Sequence, residues 1–244
     1  MLVMQTLVDA EGFRKPRATE SRLSLLDDIM RVARRENARL LVLPAGFLSV
    51  HSESQLPPAI SLLQRKAQSF RINLIVGVDC GDMKKGDGSR LACQGRIPFW
   101  GYAFTEPSFR VSDRWQQTST NNRNCRGIPH PPGRSRVVHI GRTAVYPLVC
   151  GELFNAAFRE EMLPAFDCAL VAVIGHLSMG QGVVPAMQSV ATSAGCCVIH
   201  SQHLKSVEGK KLNFVNRSGS SRGVLVGKNH LESENRFAYC VREI

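Results

Sequence analysis

An α/β layered domain is the fold class this sequence predicts, and three observations carry that expectation. Apolar runs of strand length alternate along the chain with amphipathic windows of helical spacing. Of the 244 residues, 43% are hydrophobic and 21% charged, which supplies a sizeable core and excludes a disordered tail, a collagen-like repeat and a disulfide-stapled mini-protein. The longest unbroken apolar run, Cys168–Ile174, is far short of the roughly 20 residues that cross a bilayer. No internal repeat or linker interrupts the alternation, so a single domain over 1–244 is expected.

Taken in order, Met1–Val8 is a short strand-like run. Glu20–Asn37 places Leu23, Leu25, Leu26, Ile29, Met30 and Val32-Ala33 at helical spacing with a polar opposite face. Leu40–Leu43 is a buried-type strand stopped by Pro44 and Gly46. A helix over Pro58–Phe70 follows, then a strand over Ile72–Val78 and a Gly- and Lys-rich turn over Asp79–Ser89. Short strands are expected at Leu91–Cys93, Pro98–Phe104 and Ser108–Trp115, and Thr118–Arg136 reads as one long irregular segment. Strands at Arg136–Ile140 and Thr143–Val149 lead to a helix over Leu153–Leu163. A strand at Ala169–Ile174, a helix at Val184–Ser193 and a strand at Cys197–Ser201 come next. Gly223–Val226 and Phe237–Val241 close the chain.

The segment Val149-Cys150-Gly151-Glu152-Leu153 carries the clearest chemical signal. A strand ends at the cysteine, glycine permits a tight turn, and a helix is expected to begin near Leu153. That places a thiol where a nucleophile elbow places serine, near the positive end of a helix dipole that lowers its pKa. An inert cysteine ending a strand is the competing reading.

Three further segments, with this one, resemble the nitrilase superfamily of carbon–nitrogen hydrolases. Met4-Gln5 matches the family's opening strand, and Leu41-Val-Leu-Pro-Ala-Gly-Phe-Leu48 matches its strand running into Pro-Glu. Cys150-Gly-Glu152 matches its nucleophile motif, and Cys168–His176 with Met187–His203 follow in the family's order. The resemblance implies a four-layer α-β-β-α sandwich and a thioester mechanism, in which a Glu is general base, a Lys stabilises the oxyanion and a Cys attacks. It also implies a small amide, nitrile or carbamoyl-type ligand; no cofactor and no metal are expected. A homodimer through helical faces is a further implication.

Two of the three catalytic positions depart from that pattern. Ala45 stands where the family has its glutamate, and there is no Lys from Gly86 to Leu204. The stretch in the lysine's place is Asp113–Thr118, where Arg114, Gln116 or Gln117 is expected to face the site. Arg114 keeps a cation but has no base function. Glu152 is close to Cys150 in sequence and is a candidate base, and His176 is a candidate pocket residue. The sequence therefore reads as a nitrilase-like hydrolase that keeps its cysteine and lacks the family's base and lysine, and is impaired or inactive. It reads alternatively as a non-catalytic binding or scaffolding module.

Charge supplies the second reading. There are 31 basic and 20 acidic residues, for a net charge of +11, and 23 of the basic residues are Arg. Seven arginines (110, 114, 123, 126, 134, 136, 142) fall between Arg110 and Arg142, a segment suited to a small anion or nucleic acid, although only Trp115 interleaves it. The eight cysteines include no Cys-x-x-Cys pair. His200 and His203 near Cys196 and Cys197 make a poor ligand set, because neighbouring strand residues face opposite ways. No leader-like or membrane-spanning segment is visible, and a cytoplasmic location with reduced thiols is expected.

Overall fold

Alternation of side chains along the strands divides the buried residues into separate cores. Among the residues that the computed structural model describes (1–80, 99–117, 136–156, 159, 167–177, 182–226, 231–234 and 236–244, with the side chains of 113 and 116 excepted), fourteen strands form one hydrogen-bonded ladder. They are β1 (Leu2–Asp9), β2 (Leu40–Val42), β3 (Leu48–Val50), β4 (Asn73–Cys80), β5 (Phe99–Thr105), β6 (Arg110–Gln116) and β7 (Val138–Ile140). The others are β8 (Thr143–Val149), β9 (Leu170–Leu177), β10 (Cys197–Leu204), β11 (Lys211–Val215), β12 (Ser221–Leu225), β13 (Leu231–Glu232) and β14 (Phe237–Glu243). The main path runs β6-β5-β4-β2-β1-β10-β9-β8-β7.

The ladder doubles back on itself. Strand β1 meets β10 only at its end, through Leu7–Gln202, Val8–His203 and Asp9–Leu204. Leu40, Val42, Ile75, Ala103 and Trp115 of one half share a core with Val145, Val149, Leu170, Ala172 and Ile174 of the other. The opposite faces are covered by helices. Leu25, Leu26, Ile29 and Met30 of α1 (Thr19–Arg35) and Leu63 and Ala67 of α2 (Leu56–Phe70) pack on Leu41, Leu74 and Val76. Val183, Met187 and Val190 of α3 (Val183–Ala194) pack on Val171 and Val173. The expected α/β class and its four layers are therefore present. The two inner layers are continuous through β1–β10 rather than separate sheets.

Differences from the sequence reading are local. Helix α2 begins at Leu56 because Pro57 and Pro58 suit a helix's first turn, where no intrahelical donor is required. Strand β4 runs to Cys80, so Asp79 is a strand residue rather than part of a turn. Strands β3, β11 and β13 were not anticipated, being short or mixed in polarity. Cys150–Phe154 is a short 3-10 turn, and of the rest of the expected helix only residues 155, 156 and 159 are described. The expected strand at Leu91–Cys93 and most of the Thr118–Arg136 segment lie outside the described residues. Among the described residues no helix is long and apolar enough to cross a membrane.

The buried histidines on β10 bear on stability. His200 is enclosed by the fold, and burial lowers its pKa to about 4. An unfolded imidazole titrates near 6.5, so below that pH the unfolded chain takes up a proton that the folded chain refuses. Stability is fully present above about pH 6.5 and is lost as pH falls through about 4, at roughly 1.4 kcal/mol per pH unit for one such group. Urea unfolding at pH 6.5 and pH 5 is expected to show a shallower loss in His200→Gln than in the parent chain. An unchanged slope would contradict a neutral, buried imidazole.

Candidate active site

The inner faces of β4, β8 and β9 converge at their C-terminal ends. Counting by twos along β4 from the core residue Ile75 passes Gly77 and arrives at Asp79. Along β9, Ala172 and Ile174 lead to His176. Cys150 follows directly on Val149 of β8, which pairs in parallel with Ile174. Three chemically capable side chains are thus delivered to one place by alternation alone.

The loop after β2 closes the site from the other layer. Ala45 N–H donates to the Gly175 carbonyl at 3.2 Å, and Gly77 N–H donates to the Pro44 carbonyl at 3.2 Å. Position 77 has to be glycine, since a Cβ there would stand 2.4 Å from Ala45 Cα. Gly46 has φ +64°, and a Cβ on it would lie 2.6 Å from Asp79 Oδ2. The loop can cross beside the carboxylate only because glycine occupies that position.

Cys150 is half-buried and has φ +45°, a left-handed conformation that is strained for a residue other than glycine. Such strain at a strand-to-turn junction is the geometry of a nucleophile elbow. Burial pushes the thiol up. The charge of the His176 imidazole, together with its ring and backbone hydrogen bonds to the sulfur, outweighs burial, and the charge of Arg14 adds to the effect, so the thiol's pKa is lowered overall. The expected source of that lowering was a helix dipole. A five-residue 3-10 turn supplies little of one, and the imidazole is the principal cause.

His176 is buried, with Nε2 3.0 Å from Asp79 Oδ1. Burial works against its charged form, but Asp79 and Cys150 on either side raise its pKa to about 9. With Nε2 on the carboxylate, Nδ1 is the ring nitrogen left for the thiol. The Phe99 ring, centred 4.3 Å from the imidazole, and the Phe13 ring at 6.1 Å wall it in. Asp79 is itself held from a second side, its Oδ2 accepting from Arg14 Nε at 3.3 Å.

Cysteine, imidazole and carboxylate therefore stand in sequence, an arrangement in which a base holds the nucleophile's proton and an acid orients the base. The Ala45 N–H bond to Gly175 sets position 45 next in sequence to His176. Ala45 is fully enclosed and, like Cys150, packs in the inner core. The other candidates are placed elsewhere. Glu152 is buried, with Oε2 2.7 Å and Oε1 2.9 Å from the Arg136 guanidinium, and Oε2 also accepts the Val149 N–H at 2.9 Å. Both carboxylate oxygens are thus engaged in holding the turn that carries Cys150.

Arg114 is exposed on β6. Its neighbour Trp115 takes the inward position, so strand alternation turns Arg114 away from the inner core. Gln117 is buried and its N–H bonds the Phe99 carbonyl, while the Gln116 side chain lies outside the described residues. Asp79 and Arg14 were missed. Ile75-Gly77-Asp79 at period two, in an otherwise apolar strand, was the available signal for Asp79. Arg14, in a loop between strand and helix, carried none. Among the described residues no group of three or more His, Cys, Asp or Glu could hold a metal ion.

No family profile and no curated protein sequence matches the chain. Solved structures do. A Glu→Gln variant of the amidase from Nesterenkonia sp. AN1, with acrylamide added at its active-site cysteine, matches with a TM-score of 0.71 at 17% identity, covering 100% of this chain and 93% of that one. A Cys→Ser variant of the same amidase, described as from the nitrilase superfamily, gives a TM-score of 0.71 at 18% identity, covering 100% and 91%. A Cys→Ala variant in complex with butyramide gives 0.70 at 18%, covering 99% and 89%. The chain thus has the fold of nitrilase-superfamily amidases over its whole length, and at these identities the likeness is one of fold.

Proposed function

We propose that the protein is a cysteine-dependent acyl enzyme on the nitrilase-superfamily fold, acting on a small amide or on a related nitrile or carbamoyl compound. Cys150 is its nucleophile, His176 its base and acid, and Asp79 the positioning carboxylate. The observation that carries this reading is the contact of buried His176 with Asp79 at 3.0 Å, two residues beyond the Ile174 that pairs with Val149 next to the strained Cys150. The family's glutamate, absent at Ala45, is replaced by a carboxylate reached through an imidazole from the neighbouring strand.

The steps follow from those positions. The Cys150 thiolate, its proton held on His176, attacks the amide carbon and forms an S–C bond. The C–N bond then breaks and His176 gives its proton to the departing nitrogen. Water, deprotonated by His176, hydrolyses the thioester to the acid and frees the thiol. Because the leaving nitrogen needs the imidazolium proton, turnover is expected to fall as pH rises through about 9.

A panel of small amides, nitriles and carbamoyl compounds tests the reading, with Cys150→Ser as control. Turnover that Cys150→Ser abolishes is the expected result. No turnover on any of them would favour the impaired reading, which rests on Ala45 and on the lysine-free run. The anion-binding alternative loses one of its arginines, since Arg136 is buried on Glu152, while Arg110, Arg114 and Arg142 are exposed. Nucleic-acid affinity that falls steeply with salt would support it. Self-association through the helical outer faces is a separate expectation, checked by sedimentation.

A further inference from the structure

Arg14 has a role left over once Asp79 is held. It sits at φ +56° in the turn between β1 and α1, with its side chain partly exposed and its guanidinium carbon 5.0 Å from the Phe13 ring centre and 4.9 Å from that of Phe99. Phe99 also packs on His176, so one ring borders both the guanidinium and the imidazole. Two aromatic faces fix its plane. Only Nε is engaged, on Asp79, and among the described residues neither terminal nitrogen has a hydrogen-bond partner. These two nitrogens form the end-on edge of the fork, which matches a carboxylate with two parallel hydrogen bonds.

We propose that Arg14 is a specificity-determining residue: its end-on edge reads a carboxylate carried by the substrate, so that the preferred acyl compound is anionic. The inference rests on the cysteine–histidine–aspartate reading above and deepens it. An incoming carboxylate finds a pair of donors that no described residue fills. The net charge of +11 favours its arrival. Phosphate would meet the same donors, and the protection experiment below separates the two.

Paired alkylating reagents that differ only in charge test this at Cys150 itself. Iodoacetate is compared with iodoacetamide, and 3-bromopropionate with 3-bromopropionamide, with labelling of the Cys150 peptide followed by mass spectrometry in the folded protein and in the urea-unfolded chain. In at least one pair the acid-to-amide rate ratio at Cys150 is expected to exceed that of the unfolded chain by about tenfold or more. Arg14→Gln is expected to abolish the excess and Arg14→Lys to keep part of it. A change that merely loosened Asp79 would slow both reagents and leave the ratio alone.

Ratios equal to those of the unfolded chain, or an excess that survives Arg14→Gln, would overturn the assignment of Arg14 while leaving the reactive thiol intact. Cys150 labelling no faster than in the unfolded chain with any reagent would overturn the catalytic reading and this one together. Succinate is expected to protect Cys150 from iodoacetamide at lower concentration than inorganic phosphate, and the reverse order would overturn the carboxylate assignment.

Discussion

His176→Asn is expected to lower turnover by about 10²–10⁴-fold, the usual contribution of a positioned acid–base group. The reason lies in the balance at Cys150, where burial alone raises the thiol and the imidazole is the largest opposing influence. With asparagine in its place the sulfur stays protonated at neutral pH and the leaving nitrogen has no proton source. Asp79→Asn is expected to act in the same direction through His176. It takes away the largest influence raising that imidazole's pKa, which should fall from about 9 toward or below its ordinary value. Turnover on the best amide of the panel, with an NMR titration of His176, checks both variants. Turnover of His176→Asn within a few-fold of the parent chain would contradict the assigned base.

Glu152 is expected to report on stability first. Its carboxylate holds the buried Arg136 guanidinium through two hydrogen bonds and caps the Val149 N–H. Glu152→Ala leaves a buried cation without its carboxylate, a change that costs about 3–5 kcal/mol. The double variant Glu152→Leu/Arg136→Met removes both charges and is expected to recover much of that loss, because the desolvation penalty goes with them. Urea unfolding of the three proteins makes the comparison. If Glu152 were instead the base for Cys150, Glu152→Gln, which still accepts the Val149 N–H, would remove turnover even in conditions where the variant remains folded.

Much of this molecule is legible in its sequence because period-two alternation is a local property. The strands carrying Ile75, Ala172 and Ile174 can be read from apolar runs, and the same alternation points His176 inward. Cys150 was legible for a different reason: a strand, a cysteine and a glycine in succession describe a sharp turn. What could not be read was which polar groups from distant segments meet there. Asp79 and His176 are separated by 97 residues, and their bond depends on the ladder doubling back at β1–β10. Glu152 looked like a base because proximity in sequence is visible, whereas its bonds to Arg136 are not. Arg114 looked like a replacement for lysine because it is a cation in the right stretch, but Trp115 fills the inward position beside it.

The central claim is that His176, itself held by Asp79, lowers the pKa of the Cys150 thiol. The rate of Cys150 alkylation by iodoacetamide as a function of pH tests it most directly, read at that peptide alone. The account predicts a midpoint clearly below that of a free thiol, near 8.5, and an upward shift of that midpoint in His176→Asn. A midpoint at or above 8.5 in the parent chain, unmoved by the substitution, would contradict it.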